Sequence, residues 1–291
     1  MAIHMEQKQQ ATVLITGTSS GFGLHTTIAL AKQGFQVVAT MRDLERKQEL
    51  LSLAEQEGAL QQIELLELDV TDSMQVNQVV ETILKRYGSI DILINNAGFA
   101  QGGYVEEIPL DRWQKQFDTN FFGLIQVTQA VLPSMRERGS GRIINMSSIS
   151  GLIAFPSLAP YAASKFAVEA FSEALRLEML PYGIYVSLIE PGSYRTKIWD
   201  KGLSSATTLG PSMYQQEMNI LTKMIQQKGQ SAPHPEPVIR TILQVIRSKR
   251  PKLRYPIGRG VRSTIWLKKL VPWSLIEKGF IKQLNKDKKK K

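Results

Sequence analysis

The sequence predicts an α/β protein: a doubly wound parallel sheet of about seven strands, with helices on both faces, in a single domain. Three observations carry this. Short apolar, β-branched runs alternate with longer runs of helical periodicity from residue 12 onward. A turn rich in glycine and serine, Gly17 to Gly23, stands between the first strand signal and the first helix signal. The alternation continues to Ile189, with no internal repeat and no linker to mark a second domain.

The elements follow in order. Residues 13–16 read as the first strand, 17–23 as the turn and 26–32 as a helix that Gly34 ends. Strands are expected at 36–40, 63–68, 90–95, 142–146 and 185–189, each an apolar run bounded by turn residues. Helices are expected at 44–57, 73–87 (capped by Thr71 or Asp72), 110–138 (strained near Pro133) and 159–180. Right-handed crossovers then follow from strand twist. After Pro191 the rhythm breaks. Residues 197–230 are rich in Ser, Thr, Gln and Met and read as one or two loose helices. A helix at 238–247 and a last strand at 253–257 close the body. The organisation is a flexible N-terminus at 1–11, a body at 12–257 with a lid region at about 197–235, and an extension at 258–291.

Composition narrows the chemistry. The 291 residues hold no cysteine, which excludes disulfides, thiolate catalysis and cysteine metal sites. His4, His25 and His234 are too widely spaced to suggest a histidine metal site. No apolar run reaches the roughly 18 residues that cross a bilayer. The polar N-terminus lacks an apolar signal core, so the expected location is cytoplasmic. The net charge of +10 is uneven. From Arg240 onward 17 Lys and Arg face only Glu277 and Asp287, a net +15, so the first 239 residues carry −5.

Several residues carry candidate chemistry. In Tyr161-Ala162-Ala163-Ser164-Lys165, tyrosine and lysine lie one helical turn apart on one face. A free phenol has a pKa of about 10; an ammonium one turn away favours the phenolate and brings the group nearer a working acid/base. Thr16-Gly17-Thr18-Ser19-Ser20-Gly21-Phe22-Gly23 has the spacing Gly-x-x-x-Gly-x-Gly. Between strand and helix, such glycines let backbone approach a pyrophosphate at a helix N-terminus. Asp69-Val70 ends the third strand, where the acid accepts from an adenine amino group or caps the next helix. Asn95-Asn96-Ala97-Gly98 ends the fourth, with short side chains that leave room for a ribose and amides that tie strand ends together. Asn120, a poor helix former inside a helix and close to Gly123, suggests either a local distortion with a purpose, such as holding a water, or a tolerated defect. Ser147-Ser148 and Pro191-Gly192-Ser193-Tyr194-Arg195-Thr196 close the fifth and sixth strands, where ligands meet such sheets.

Together these residues resemble the short-chain dehydrogenase/reductase family, from about Thr12 to Thr196, with every signature in order. The resemblance implies a Rossmann-like sheet and hydride transfer between nicotinamide and a carbonyl or alcohol carbon. It implies Tyr161 as catalytic acid/base, Lys165 as the residue that lowers its pKa and binds the nicotinamide ribose, Ser148 as the group that polarises the substrate oxygen, and Asn120 as holder of the proton-relay water. Ser148 is preferred to Ser147 because it stands the family's usual thirteen residues before the tyrosine. The cofactor contacts implied are Gly17, Ser19, Ser20, Gly21, Phe22, Gly23, Asp69, Val70, Asn96, Tyr161, Lys165 and Thr196. The family also implies a homodimer or homotetramer built on the two long helices.

The choice of cofactor rests on the end of strand two, Ala39-Thr40-Met41-Arg42-Asp43. Met41 stands where NAD-specific relatives carry an acid, and the Arg42 guanidinium matches a 2′-phosphate. NADP(H) is therefore expected over NAD(H), tempered by Asp43, which can pair with Arg42. The lid residues Ile198, Trp199, Leu203, Met213, Tyr214, Met218, Leu221 and Met224, with Phe99, Tyr104, Leu152, Phe155 and Leu158, suggest an apolar pocket, or ordinary packing. The runs 36–43, Phe121-Phe122-Gly123 and Ser164-Lys165-Phe166-Ala167 resemble the 17β-hydroxysteroid and retinol dehydrogenase branch, which implies an apolar, lipid-like alcohol or ketone. In the extension, Trp266 and Trp273 stand beside Lys268 and Lys269, and Pro272 divides two short segments. This reads either as peripheral contact with an anionic membrane or as a helix pair docked on the body or at a subunit interface. No nucleic-acid motif is visible, so only nonspecific, salt-sensitive binding is expected there.

Overall fold

The computed structural model describes residues 10–196, 198, 212–230 and 232–288. Most of the expected flexible N-terminus and lid residues Trp199 and Leu203 lie outside the described residues, as do the side chains of Leu221 and Met224.

Seven parallel strands form one sheet: β1 (Thr12–Thr16), β2 (Gln36–Met41), β3 (Ile63–Glu67), β4 (Ile92–Asn95), β5 (Gly141–Met146), β6 (Ile184–Pro191) and β7 (Arg254–Ile257). Their order is β3-β2-β1-β4-β5-β6-β7. Register alternates the faces along each strand. Val13 and Ile15 of β1 pack with Val37, Ile94 and Ile144 on one face; Leu14 packs with Val38, Leu93 and Ile143 on the other. Helices α1 (Gly21–Ala31) and α8 (Glu236–Arg247) cover the first face, adding Leu30, Val238, Ile242 and Val245. Helices α3 (Ser73–Tyr87), α5 (Gly123–Arg138) and α6 (Ala159–Met179) cover the second, adding Val80, Ile83, Val131 and Leu175. Between them lie α2 (Gln48–Gln56) and α4 (Leu110–Phe117). The remaining helices among the described residues are α7 (Gln215–Gln230), α9 (Val261–Leu270) and α10 (Trp273–Lys288).

Several helix boundaries change. The first helix begins at Gly21, five residues before the expected start, because the glycines are its first turn. Residues 44–57 divide into a 3-10 turn, Leu44–Lys47, and α2. Residues 110–138 divide at a π-helical turn, Asp118–Phe122. Of the two offered caps for α3, Asp72 is the one used: its carboxylate accepts from Met74 N and Gln75 N at 2.9 and 3.1 Å. Pro272 separates α9 from α10, as its position requires.

Candidate active site

A cleft of about 530 Å³ opens at the carboxyl ends of the strands. It lies where the strand order reverses between β1 and β4, the place ligands occupy in such sheets. At one end is the glycine turn. Gly17 holds φ +71°, and a Cβ there would come within 2.7 Å of Ala97 Cα. Only glycine suits both the dihedral and the space. Ser20 makes no side-chain cap to α1, and the helix has no acid in its first turn. The first N–H groups and the positive end of the helix dipole are thus offered to an anion lying in the cleft. Asn96 fixes the turn, its amide donating to Thr16 O and Gly17 O at 2.9 and 2.8 Å. These features fit a dinucleotide pyrophosphate.

Arg42, at the end of β2, is largely exposed; its Nε lies 3.9 Å from Asp69. Asp43 does not pair with it. The Asp43 carboxylate accepts from Glu45 N at 3.0 Å and caps the 3-10 turn. That turn brings Arg46 to the same wall, so two guanidiniums line this end of the cleft. Asp69 accepts from Thr71 N and Thr71 Oγ1 at 3.0 and 2.7 Å, which holds its carboxylate at the rim.

At the other end α6 carries Tyr161 and Lys165 against β5. Tyr161 is buried and hydrogen-bonded to the Ser148 hydroxyl. Ser148 also accepts from Ser150 N at 3.0 Å, which fixes its rotamer. Ser147, one residue earlier, points away and donates to Glu169. The Lys165 ammonium donates to Met146 O at 2.7 Å and sits 5.9 Å from the Tyr161 ring centre. Burial pushes the Tyr161 pKa above its ordinary value, and the Ser148 hydrogen bond opposes that shift. The lowering expected from Lys165 is not among the influences on the phenol, which are burial and the Ser148 bond. Burial also brings Lys165 down to about 8, with Glu169 one turn below opposing the fall.

Asn120 lies in the π-helical turn, where Gly123 N bonds back to Asp118 O. An extra residue in a helical turn redirects its side chains and is frequent at functional sites. The Asn120 amide accepts from Phe99 N at 3.1 Å and donates to Phe99 O at 2.9 Å. It reaches Ser164 Oγ at 3.3 Å. The distortion expected around Asn120 is present, and its amide ties the Phe99 backbone to Ser164 of α6.

Beneath Lys165 lies a cluster that the sequence did not disclose. Glu169 of α6 and Glu190 of β6 are both buried beside Arg254 of β7. Arg254 Nη2 meets Glu169 at 2.8 Å, and its Nη1 meets Glu173 at 2.7 Å. Glu190 lies 3.1 Å from Arg254 Nε, without hydrogen-bond geometry. Burial, then the neighbouring Glu169 charge, pushes Glu190 up to about 8. Burial raises Glu169 as well, opposed first by its bond from Ser147.

Among the expected site residues, Asn120, Ser148, Tyr161, Lys165, Gly17, Ser19, Ser20, Gly21, Phe22, Arg42, Asp69, Val70, Asn96 and Thr196 line the cleft. Gly23 does not. It is buried, and a Cβ there would meet Asn96 Nδ2 and Gly17 O at 2.4 Å, so it serves helix–strand packing. Of the expected apolar walls, Phe99 and Ile198 reach the cleft; Tyr104, Leu152, Phe155 and Leu158 do not line it. Tyr104 instead stacks on Tyr214 at 4.2 Å. Arg46, Arg112 and Lys115 line the cleft and were missed. The spacing of Arg112 and Lys115, three apart on one helix, was the available signal.

The family model for short chain dehydrogenases matches residues 11–205. The chain belongs to that family. The dehydrogenase is an oxidoreductase acting on CH–OH or C=O groups with NAD(P). It is 43% identical over 274 residues to an uncharacterized oxidoreductase of Bacillus subtilis, covering 93% of this chain and 97% of that one. It is 37% identical to a 3-ketodihydrosphingosine reductase of Bacteroides thetaiotaomicron (89% and 94% covered). It is 38% identical to retinol dehydrogenase 8 of Bos taurus (90% and 86%), which supports the branch resemblance. Its structure matches a short-chain dehydrogenase from Streptomyces avermitilis with TM-score 0.78, 32% identity and coverage of 94% and 99%. It matches ElxO with NADP bound with TM-score 0.73, 26% identity and coverage of 87% and 99%.

Proposed function

We propose that this dehydrogenase uses NADP(H) to interconvert an apolar, lipid-like ketone and its alcohol, with Tyr161 as acid/base. One observation carries the reading. The Ser148 and Tyr161 hydroxyls meet one helical turn from Lys165, in the same cleft that offers the uncapped start of α1. When bound, the nicotinamide supplies or accepts the hydride. In reduction, Tyr161 gives its phenolic proton to the substrate oxygen as the carbonyl carbon accepts hydride. The Ser148 hydroxyl donates to that oxygen and orients it. The Lys165 ammonium stabilises the phenolate left behind. In oxidation the same residues act in reverse, and the phenolate takes the alcohol proton.

Arg42 and Arg46 on one wall support NADP(H), because a pair of guanidiniums suits a 2′-phosphate. Relatives named for 3-ketodihydrosphingosine and for retinol support an apolar substrate. Exposed Leu110, Phe122 and Leu177 support a homo-oligomer built on α4, α5 and α6, which sedimentation velocity would read. Calorimetry of NADPH against NADH tests the cofactor. The expected preference for NADPH is about tenfold or more, roughly 1.4 kcal/mol, and it collapses in Arg42→Ala. A preference for NADH overturns the cofactor assignment. Cofactor binding with no turnover of apolar ketones or alcohols overturns the apolar-substrate reading.

A further inference from the structure

We propose that α9 and α10 form a docking surface for an anionic lipid bilayer. The first helix is clamped to the body in one orientation. Val261 is buried, and its methyl fills the space beside Gly192, where a Cβ would come within 2.7 Å. Lys268 donates to Leu152 O and lies 5.2 Å over the Phe166 ring. Positions 261, 265 and 268 share one helical face, which is turned to the body. Positions 266, 267 and 270 therefore face outward. Trp266, Leu267 and Leu270 are 67, 60 and 69% exposed. Beyond Pro272 the exposure continues with Trp273, Leu275 and Ile281 of α10.

Single exposed apolar residues are ordinary. This patch is different, because seven of the 18 large exposed hydrophobics among the described residues fall within 266–281. Residues 258–291 also carry 11 Lys and Arg against two acids, a net +9. Exposed tryptophan and leucine among cations is what a helix lying in a headgroup layer presents. The charge also selects the occupant. A second copy on the same face would set +9 against +9, whereas anionic headgroups complement it. No helix among the described residues is long and apolar enough to cross a membrane, so the contact is peripheral.

The surface adjoins the cleft. Gly192, packed under Val261, lines it, and Leu152 follows the Ser148 turn. A docked protein holds that wall near the bilayer, where an apolar substrate partitions. The docking itself does not rest on the catalytic reading.

The test is flotation of the full chain with phosphatidylcholine vesicles, with and without phosphatidylglycerol, at low and high salt. The comparison is the double variant Trp266→Glu/Leu270→Glu, whose positions face away from the body. Wild type is expected to float with the anionic vesicles only, less at high salt. The variant is expected to lose about tenfold or more in partitioning, with thermal midpoint and NADPH affinity unchanged. Equal partitioning of variant and wild type overturns the proposal, as does absence of anionic dependence. If the variant instead dissociates an oligomer in sedimentation velocity and vesicles bind neither protein, the patch is an interface between copies.

Discussion

Ser147 and Ser148 are adjacent, yet the strand end sends them to different partners. Ser147 donates down to Glu169, while Ser148 meets Tyr161. Burial raises the Tyr161 pKa and the Ser148 hydrogen bond opposes it. Alcohol oxidation needs the phenolate, so its kcat/KM is expected to climb as pH rises above neutrality. Ketone reduction needs the phenol and is expected to stay flat over the same range. In Ser148→Ala the opposing bond is gone, and the alkaline limb of oxidation is expected to move to higher pH. Ser147→Ala should leave that limb where it is. A pH profile with the same limb in both variants would assign the hydroxyls wrongly. Tyr161→Phe removes the proton donor and is expected to cost about 10²–10⁴ in kcat. Its NADPH affinity in calorimetry should stay within a few-fold of wild type.

The π-helical turn between α4 and α5 shows what an element can hide in sequence. Asn120 and Gly123 marked a distortion there, because asparagine and glycine are poor helix formers. What they did not mark was the reason for the glycine. A Cβ at Gly123 would meet Val70 Cγ2 at 2.6 Å and Val70 O at 3.0 Å, so α5 passes directly against the turn that follows β3. Gly123→Ala is expected to push those elements apart and cost about 1–3 kcal/mol in urea unfolding. Val70 lines the cleft, so NADPH affinity should weaken with it. An unchanged midpoint would show that the helix can shift freely. Elsewhere, legibility followed range. Local signals such as strand runs, a cap at Thr71 or Asp72 and the Tyr161–Lys165 spacing were readable in the sequence. The early start of α1 was not, because a glycine turn and a glycine-rich first helical turn look alike. Nor was the second cation of the cofactor wall: Arg46 reaches it only because Leu44–Lys47 tightens into a 3-10 turn.

At the scale of the molecule, the least legible feature joins the sheet's last strand to the catalytic helix. Glu169, Glu190 and Arg254 are far apart in the chain, and only the pairing of β6 with β7 under α6 brings them together. Two buried carboxylates share one guanidinium that is also committed to Glu173. Ionising both would leave more negative charge than Arg254 balances, so Glu190 retains its proton to about pH 8. An unfolded glutamate gives up its proton near pH 4.3. The folded protein therefore binds a proton that the unfolded chain releases. Stability from this group is full below about pH 4.3, is lost as pH rises toward 8, and is flat above that. Glu190→Gln is neutral at every pH. Relative to wild type, its thermal midpoint should therefore be higher at pH 9 than at pH 6. A relative gain of ~1 kcal/mol would appear as roughly 2–4 °C. The same difference at both pH values would mean that Glu190 is ionised in the fold.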